Sequence, residues 1–424
     1  MLQSQLFTHT VHESPKGATS ANQKLLTMAG FIDQIAAGIY AYLPLGLRVL
    51  EKIHTIIREE MNAVGGQELH MPALLPKSSW TPTGRWESAR DVMYQLKDDS
   101  DNAYCLGWTH EEIITAIAKR FIHSYRDLPK AAYQIQDKFR NEARPKSGLI
   151  RGREFGMKDL YSFHADQADL DAYYPKVLDA YRRIFTRCGL ETKLVEAPGG
   201  SFTKTFTDEF QVLSDAGEDM IVYCPSCEWA RNKELFKEHP VKKCPNGHDN
   251  LQEAKSIEVG NTFKLGTRFS EAFQLAYHDA AGKSKPVVMA SYGIGPGRVM
   301  GTIVEIHHDG KGMIWPASVA PFDIHLVRLG DDKDVCKEAE RLGSSMEEDG
   351  WSVLHDDRED VTVGEKLNDA DLIGIPLRIV VSERMARQKS AEAKLRTEKQ
   401  PVIVPVKEMR EYLAEYRKKT AGDS

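Results

Sequence analysis

The stretch FRNEARPKSGLIRGREFGMKD, from Phe139 to Asp159, is the most informative part of this sequence. Two segments that combine aromatic, arginine and acidic residues flank a connection rich in arginine, lysine and glycine, which predicts two antiparallel strands joined by a basic loop. Arg140 and Arg151 would then face a polyphosphate from both strands, because a guanidinium group binds phosphate oxygens through two parallel hydrogen bonds. Glu142 can accept a hydrogen bond from an exocyclic amine, and Phe155 offers a flat face on which a base can stack. The pattern favours an ATP-binding hairpin over the alternative, a surface hairpin carrying solvated charge.

The overall composition is that of an ordinary globular protein. A chain of 424 residues predicts two or three domains, and its hydrophobic and charged fractions, 41% and 28%, are typical of proteins in water. The net charge of -6 argues against a globally basic nucleic-acid binder, so any RNA contact must use local basic patches. Neither a long apolar run nor a secretory signal is evident, and the six cysteines do not form a disulfide framework. We therefore expect a cytoplasmic enzyme without a membrane segment.

Hydrophobic periodicity predicts the elements that precede and follow the hairpin. Thr109, followed by acidic residues, is predicted to cap a helix. The predicted elements are helices over 48–64, 111–125 and 169–188 and strands over 67–72 and 103–108.

The glycine-rich segment GIGPGR, from Gly293 to Arg298, follows the apolar run Val287–Ala290. A dinucleotide-binding turn is excluded because Pro296 stands inside the turn and the expected strand-helix-strand context is missing. The segment instead predicts a strand, a glycine turn and a helix that begins at Arg298. The glycines allow the backbone to approach a nucleotide, and Arg298 can reach phosphate from the side opposite the hairpin.

The character of the chain changes near residue 320. Strand-like segments over 322–329, 351–355 and 377–382 alternate with helical segments over 332–349 and 363–370. This alternation predicts a compact α/β module with a partly parallel sheet.

The hairpin resembles motif 2 of the class II aminoacyl-tRNA synthetases, which reads aromatic-Arg-x-Glu, loop, Arg-x-x-x-Phe-x-x-x-Asp. All six positions of that pattern are filled. Gly293–Arg298 resembles motif 3 of that family. Residues 48–72 resemble motif 1, which builds the family's dimer interface, although a core helix and strand without such a role is the alternative.

Further ordered blocks are similar to the bacterial-type prolyl-tRNA synthetases, among them THEE at 109–112, YQIQ at 133–136 and DADLIGIP at 369–376. The resemblance implies an α/β (α+β) fold with an antiparallel-sheet catalytic domain and a C-terminal α/β anticodon-binding domain. The implied boundaries are a catalytic domain over 1–219 and 258–320, a short insertion over 220–257 and an anticodon-binding domain over 321–424.

The same resemblance implies the reaction and the ATP site. L-proline would react with ATP to give prolyl-adenylate, and the prolyl group would pass to the 3′ end of tRNA(Pro). Arg140 and Arg298 are the implied catalytic cations, with Arg140 shared between the proline carboxylate and the α-phosphate. Arg151 and Arg298 would bind the outer phosphates, while Glu142 and Phe155 would hold the adenosine. Mg²⁺ would bridge the phosphates with help from Glu209.

The proline and tRNA contacts are implied in the same way. Thr109 and Glu111 would bind the secondary ammonium of proline, and Phe163 and His164 would line the pocket around its ring. For His164 the alternative is a packed core histidine. The residues predicted to meet tRNA are Arg144, Lys146 and Arg153 at the acceptor end and Asp357, Arg358 and Lys366 at the anticodon. Exposed solubilising charge is the alternative for the first three. The family further implies a homodimer.

The insertion departs from the bacterial pattern, in which a large editing domain lies between motifs 2 and 3. Only about forty residues, 219–258, occupy this place, so we predict that the chain does not edit mischarged alanine in cis. Cys224, Cys227, Cys244 and His248 have a spacing that suits a tetrahedral structural zinc ion, a reduced cluster without metal being the alternative.

Three single positions also depart from the expected pattern: Trp108 replaces a proline, while Asp208 and Asn261 each replace a histidine. Two other functions compete with the prolyl assignment. A threonyl-tRNA synthetase would hold zinc in its amino-acid pocket, and a non-catalytic synthetase-like protein would carry degenerate motifs.

Overall fold

The computed structural model describes residues 1–200 and 206–422, except for the side chains of residues 420–422. The helices of this part are α1 Ala21–Met28, α2 Pro44–Ala63, α3 Arg85–Ser88, α4 Glu111–Ala118, α5 Gln167–Arg187, α6 Lys233–Glu238, α7 Arg268–Phe273, α8 Pro296–Ile306, α9 Lys333–Glu348, α10 Val363–Ile373, α11 Glu383–Arg387 and α12 Met409–Gly422.

The strands of the first 310 residues are β1 Ile32–Ala36, β2 Ile39–Tyr42, β3 Gly66–Glu68, β4 Leu74–Pro76, β5 Gln95–Lys97, β6 Ala103–Leu106, β7 Lys130–Phe139, β8 Glu154–His164, β9 Lys193–Pro198, β10 Phe206–Leu213, β11 Asp219–Tyr223, β12 Trp229–Asn232, β13 Gln252–Gly266, β14 Ala276–His278, β15 Ser284–Pro286 and β16 Val288–Ile294. Those of the C-terminal part are β17 Ile324–Leu329, β18 Val353–Asp356, β19 Leu377–Ser382, β20 Ser390–Leu395 and β21 Val402–Pro405.

A nine-stranded sheet of order β10-β9-β12-β11-β13-β16-β8-β7-β3 forms the centre of the molecule. Its pairs are antiparallel apart from β3 with β7 and β9 with β12. The predicted hairpin is β7 with β8, in which Phe139 lies opposite Glu154 and Lys138 opposite Phe155. The structure thus confirms the antiparallel catalytic sheet and brings both halves of the hairpin to one edge of a cleft.

Helices α2, α5 and α8 cover this sheet. Helix α2 begins at Pro44, four residues before the predicted start, because the first turn of a helix has no partner for the N–H that proline lacks. Val49, Ile53 and Ile57 are fully buried, so the apolar face of α2 packs into the core of its own chain. Glu60 at the end of α2 accepts hydrogen bonds from Arg183 and Arg187 of α5.

Several predicted boundaries are wrong by a few residues. His110, not Thr109, occupies the N-cap position of α4, without a capping hydrogen bond from its side chain. The helix ends at Ala118, before a short 3-10 helix, Tyr125–Asp127, that Ser124 caps. Helix α8 begins at Pro296 rather than at Arg298, which places the arginine in its first turn. The strand predicted over 67–72 is confined to Gly66–Glu68.

The short insertion is part of the central sheet. Strands β10 and β11 both pair with β13, and β9 and β12 join them on the other side, so the five pairings close into a ring. The segment between β12 and β13 contains only α6, whose six residues are Lys233–Glu238. The Cys/His cluster lies at the end of this ring.

The C-terminal sheet has the order β18-β17-β19-β20-β21, parallel over its first three strands and antiparallel over the rest. This confirms the predicted partly parallel module. Most of its apolar residues form a core of their own, whereas Leu354, Leu372 and Ile373 belong to the core of the catalytic sheet. The start of the chain packs against it, where Leu2 bridges to His355 and Gln3 accepts a hydrogen bond from His325. None of the helices in the described residues has the length and apolar character needed to cross a bilayer.

Candidate active site

Two adjoining cavities open on one face of the central sheet. The larger is a cleft of about 1040 Å³, lined by residues of the hairpin, of β13 and β16 and of the start of α8. The smaller, of about 420 Å³, lies beside it. The residues that line both are Arg140, Met157, Asn261 and Gly293. The site therefore consists of two compartments that meet at Arg140.

The hairpin residues predicted to bind ATP lie together in the large cleft, whose lining includes Arg140, Glu142, Arg151, Phe155 and Arg298. Arg151 donates to Glu142 over 2.8 Å and to Glu218 over 2.6 Å. Burial alone would raise the pKa of Glu142, but hydrogen bonds from Arg151 and the Arg144 amide lower it. Both carboxylates hold the guanidinium of Arg151 at the cleft.

Arg140 and Arg298 provide positive charge inside the cleft. Burial and the nearby charge of Arg298 lower the pKa of Arg140, whose guanidinium lies 5.2 Å from the ring centroid of Phe155. Arg298 donates to the carbonyl of Ile150 over 2.9 Å and to the Glu258 carboxylate over 3.1 Å. Two arginines that repel each other form a preorganised site for an anion.

Acidic side chains face these arginines. Burial and the negative charge of Glu258 raise the pKa of Glu209 to about 8 and that of Asp219 to about 6. Asp219 and Glu258 line the cleft, whereas Glu209 does not line it and accepts a hydrogen bond from Gln211 over 2.6 Å. Carboxylates gathered this closely favour a divalent cation between them, because it neutralises their shared negative charge. Asp219 and Glu258 were not singled out from the sequence, although they lie at the two ends of the insertion.

The small compartment contains the residues predicted to bind the amino group. The Thr109 hydroxyl donates to Glu111 over 2.6 Å, and Glu111 is only 3% exposed. Asp159 also lines this compartment and is paired with Lys138 over 2.7 Å. With Arg140 at its mouth, the compartment presents a negative end and a positive end, which suits an amino acid zwitterion.

Phe163 and His164 do not line either compartment. Phe163 packs in an apolar cluster with Met71 and Phe269. His164 is fully buried, where its ring nitrogens contact Asp169 and Ser162, and burial lowers its pKa. Its surroundings are those of the packed core histidine that the sequence left as the alternative.

The departures noted in the sequence have different surroundings. Trp108 is 4% exposed and stacks on Trp80. Asp208 accepts a hydrogen bond from Tyr174, away from both compartments. Asn261 lines both compartments and donates to Glu258 over 2.7 Å.

The residues predicted to meet the acceptor end differ in exposure. Arg144 and Lys146 are exposed in the connection between β7 and β8, and Lys146 forms an ion pair with Glu218 over 3.3 Å. Arg153 instead donates to the carbonyls of Glu142 and Ala37, and these hydrogen bonds stabilise the loop.

The residues predicted to face the anticodon are engaged in contacts with other parts of the protein. Asp357 accepts two hydrogen bonds from Ser4. Arg358 forms ion pairs with Asp356 and Asp369 over 2.7 Å and 2.9 Å. Lys366 is 3% exposed and donates to a backbone carbonyl. Sequence pattern alone does not show that these charges compensate one another in the interior.

Cys224, Cys227, Cys244 and His248 converge, with all four ligand atoms within 4.8 Å of one another. The Sγ atoms of Cys227 and Cys244 lie 3.8 Å apart, and Nδ1 of His248 lies 3.4 Å and 3.3 Å from the Sγ atoms of Cys224 and Cys244. A tetrahedral zinc ion with Zn–S bonds of about 2.3 Å would place its sulfur ligands about 3.8 Å apart. The four residues therefore fit zinc.

Two family models match the chain. Residues 94–307 match the tRNA synthetase class II core domain (G, H, P, S and T), and residues 317–416 match an anticodon binding domain. A proline–tRNA ligase of Anaeromyxobacter sp. (strain Fw109-5) is 36% identical over 97% of this chain and 98% of its own length. The chain belongs to the proline–tRNA ligase family.

Members from distant bacteria align over the full length as well. The Bacillus cytotoxicus proline–tRNA ligase is 33% identical over 99% of this chain and 100% of its own length. That alignment spans 568 residues, whereas this chain has 424, so the relative carries internal residues that this family member lacks.

Solved structures of prolyl-tRNA synthetases share the fold. The Giardia lamblia enzyme in complex with prolyl-adenylate superimposes with a TM-score of 0.77 at 18% identity, covering 95% of this chain and 80% of that one. The Cryptosporidium parvum enzyme complexed with halofuginone and AMPPNP gives the same TM-score at 16% identity, covering 94% and 77%.

Proposed function

We propose that this chain activates L-proline with ATP and transfers the prolyl group to the 3′ end of tRNA(Pro). The observation that carries the proposal is the position of Arg140, which lines both the cleft with the motif 2 and motif 3 arginines and the compartment with Thr109 and Glu111. One guanidinium can therefore contact an amino-acid carboxylate and the phosphate that it attacks.

The first step joins the two substrates. A carboxylate oxygen of proline attacks the α-phosphorus of ATP, the bond to the β-phosphate oxygen breaks, and pyrophosphate leaves. Arg140 neutralises the reacting carboxylate and α-phosphate, while Arg151 and Arg298 hold the outer phosphates. Catalysis of this kind consists mainly of positioning and charge neutralisation.

The amino-acid compartment selects its substrate through charge. Glu111 and Thr109 accept the secondary ammonium of proline at one end, and Arg140 binds the carboxylate at the other. In the second step a ribose hydroxyl of the terminal tRNA nucleotide attacks the prolyl carbonyl, and AMP leaves. We place the acceptor end near the exposed Arg144 and Lys146 because their positive charges can contact RNA phosphates.

ATP is used with Mg²⁺, which lowers the charge of the phosphates. Asp219 and Glu258, supported by Glu209, are the residues that would hold the ion at the cleft. This assignment follows from the closeness of the three carboxylates, which raises the pKa of Glu209 and of Asp219.

The Cys/His cluster binds one structural zinc ion. Cys224 and Cys244 are buried, and the segment over 239–251 has no regular helix or strand that could hold it without the cluster. Zinc at this place also separates the chain from the threonyl alternative, since the cluster residues line neither compartment.

Assembly and location complete the proposal. We infer a homodimer from the family, supported by exposed apolar side chains near the start of the catalytic domain, namely Ile35 at 67% and Leu47 at 47%. Cysteines without disulfide bonds and a tRNA substrate suit the cytoplasm.

ATP–pyrophosphate exchange with proline, threonine and alanine tests the function. We expect rapid exchange with proline, and we expect Arg140→Lys to lower kcat/KM by about 100-fold or more because lysine cannot form the paired hydrogen bonds. Exchange with threonine but not proline, or no exchange with any of the three, would contradict the proposal.

A further inference from the structure

A buried arginine outside the motifs contacts the amino-acid compartment from behind. Arg85 at the start of α3 is 2% exposed. Its Nη1 atom donates to Oε2 of Glu111 over 3.3 Å and to both carboxylate oxygens of Glu112 over 3.2 Å. Thr83 also donates to Glu112 over 2.8 Å. A single cation thus serves two adjacent buried carboxylates.

Aromatic rings surround the same guanidinium. Its Cζ atom lies 4.4 Å from the ring centroid of Trp108, 5.9 Å from that of Trp80 and 5.4 Å from that of Phe269. The two tryptophan rings are stacked at an angle of 18°. Cation–π contact holds the guanidinium against Trp108, the residue found where the sequence pattern predicts a proline.

Trp108 connects Arg85 to the other end of the compartment. Its backbone carbonyl accepts a hydrogen bond from Nε of Arg140 over 3.4 Å. Arg85 therefore contacts Glu111 directly and reaches Arg140 through Trp108. The negative and positive ends of the compartment are held by one unit.

The contacts of Glu111 show what this unit does. Its Oε2 atom accepts from both Arg85 and Thr109. Its Oε1 atom accepts no hydrogen bond within the described part of the chain. The two hydrogen bonds to Oε2 fix the orientation of the carboxylate, and Oε1 is left to accept a hydrogen bond from a ligand.

We propose that Arg85 is a positioning residue for proline: it orients the Glu111 carboxylate and, through Trp108, sets its spacing from Arg140. This inference rests on the proposed function. The carboxylate and the guanidinium then match the two charges of a zwitterion before it binds, which lowers the cost of ordering them.

Removal of Arg85 leaves Glu111 and Glu112 side by side without a cation. When two carboxylates are buried this close to each other, they do not both remain ionised, and one of them takes up a proton. Glu111 then loses the hydrogen bond from Arg85 that orients its carboxylate.

The test compares Arg85→Met, Arg85→Lys and Glu112→Gln in ATP–pyrophosphate exchange. For Arg85→Met we expect the KM for proline to rise about 10- to 100-fold, while the KM for ATP changes by less than about twofold. Glu112→Gln is the matched control, because it breaks the same ion-pair cluster but leaves Arg85 on Glu111. Its KM for proline should stay within about twofold of the native value, even if thermal stability falls as in Arg85→Met.

The pH profile gives a second readout. The acid limb of kcat/KM for proline should move to higher pH in Arg85→Met, because the pair of adjacent carboxyl groups has lost the cation that contacts both. It should not move in Glu112→Gln, in which the pair is reduced to one carboxyl group. Equal rises in both KM values, an unmoved acid limb, or the same effects in Glu112→Gln would overturn the inference.

Arg85→Lys decides the matter if Arg85→Met does not fold. Lysine keeps the charge but not the fork or the stacking, so the KM for proline should rise roughly three- to tenfold with the KM for ATP unchanged. If the KM for proline does not rise, or if the KM for ATP rises equally, the inference is overturned. If the native enzyme itself fails to exchange with proline, the proposed function fails, whereas native exchange with unaffected Arg85 variants overturns the inference alone.

Discussion

Single side chains in and next to the cleft interact strongly with the charges of their neighbours. Burial and the charge of Glu258 raise the pKa of Glu209 to about 8. Burial and the charge of Arg298 lower the pKa of Arg140. The folded protein therefore keeps an unfavourable charge arrangement at the site. Ligands of opposite charge, a divalent cation and a polyphosphate, relieve it.

The raised pKa of Glu209 predicts how stability changes with pH. The folded state holds a proton that the unfolded state releases near pH 4.5, so the free energy of unfolding falls as pH rises from about 4.5 to about 8. Glu209→Gln removes this dependence and should stabilise the ligand-free protein at pH 8.5 by about 1–3 kcal/mol, with little effect at pH 5. Urea unfolding at both pH values measures it.

The control for this prediction is Glu253→Gln, which changes an exposed glutamate of the neighbouring strand. It should retain the native pH dependence. Identical pH slopes for native protein and Glu209→Gln would show that this carboxyl group does not cause the effect.

At the scale of elements, β11 connects the cleft to the Cys/His cluster. The strand begins at Asp219, which lines the cleft, and ends at Tyr223, next to Cys224. Lys193 of β9 donates to the carbonyl of Cys227 over 3.0 Å, and Arg182 of α5 pairs with Glu228 over 2.9 Å. The cluster thus fixes the far end of a strand that carries a cleft residue.

This arrangement predicts that zinc loss weakens ATP binding. Cys227→Ser should reduce the zinc content from about one ion per chain to near zero and lower Tm by about 5–10 °C. The KM for ATP should rise roughly three- to tenfold, because small displacements of site residues have large effects. Elemental analysis, calorimetry and exchange kinetics measure the three quantities.

Cys336→Ser is the matched control, since Cys336 lies on α9 in the C-terminal domain. The Cys336→Ser protein should have the same zinc content and the same KM for ATP as the native protein. A zinc-free Cys227→Ser protein with native stability would refute a structural role for the metal.

At the scale of the whole molecule, the start of the chain fastens the two domains to each other. Gln3 accepts from His325 over 2.8 Å, and Ser4 donates to Asp357 over 2.6 Å. Arg48 of α2 adds a hydrogen bond to the carbonyl of Pro321 over 2.8 Å. Contacts from opposite ends of the sequence therefore join the catalytic and C-terminal sheets.

The contact between Gln3 and His325 predicts an acid-sensitive domain junction. Burial lowers the pKa of His325 to about 4, so the folded protein keeps the ring neutral while the unfolded chain binds a proton below about pH 6.5. Stability should fall by about 1–2 kcal/mol between pH 7 and pH 5 from this residue. His325→Gln should remove that part of the loss in calorimetric scans, whereas the exposed His9→Gln should not. Equal losses in all three proteins would exclude His325 as the cause.

The short insertion predicts the fate of mischarged tRNA. The span between β10 and β13 holds only β11, β12 and α6 in the described residues, and no cis-editing of alanine is expected. Alanine lacks the ring methylenes of proline, so the kcat/KM for alanine in the exchange reaction should be lower than that for proline by at most about 100-fold. Alanyl-tRNA(Pro) added to the enzyme should decay no faster than in buffer, and accelerated decay would reveal an editing site.

Much of the fold can be predicted from the sequence because its signals are local. Alternation and turn residues identify the hairpin around Phe139–Asp159, and regular spacing of apolar residues identifies α2 and α5. The strand pairings within the central sheet could not be predicted from local signals, since β12 pairs with β9, with Trp229 opposite Leu194. Helix boundaries shifted where a proline or a capping residue competed with periodicity.

The sequence by itself determined which chemical groups are present: the motif arginines, Thr109 with Glu111, and four zinc-type ligands at suitable spacing. Only the tertiary structure decided which of these groups meet. It brought Asp219 and Glu258 to the cleft, set Arg85 behind Glu111, and turned His164 and Lys366 into the interior. The physical reason is that residue type and spacing are local properties, whereas burial and charge compensation depend on how distant strands and helices pack.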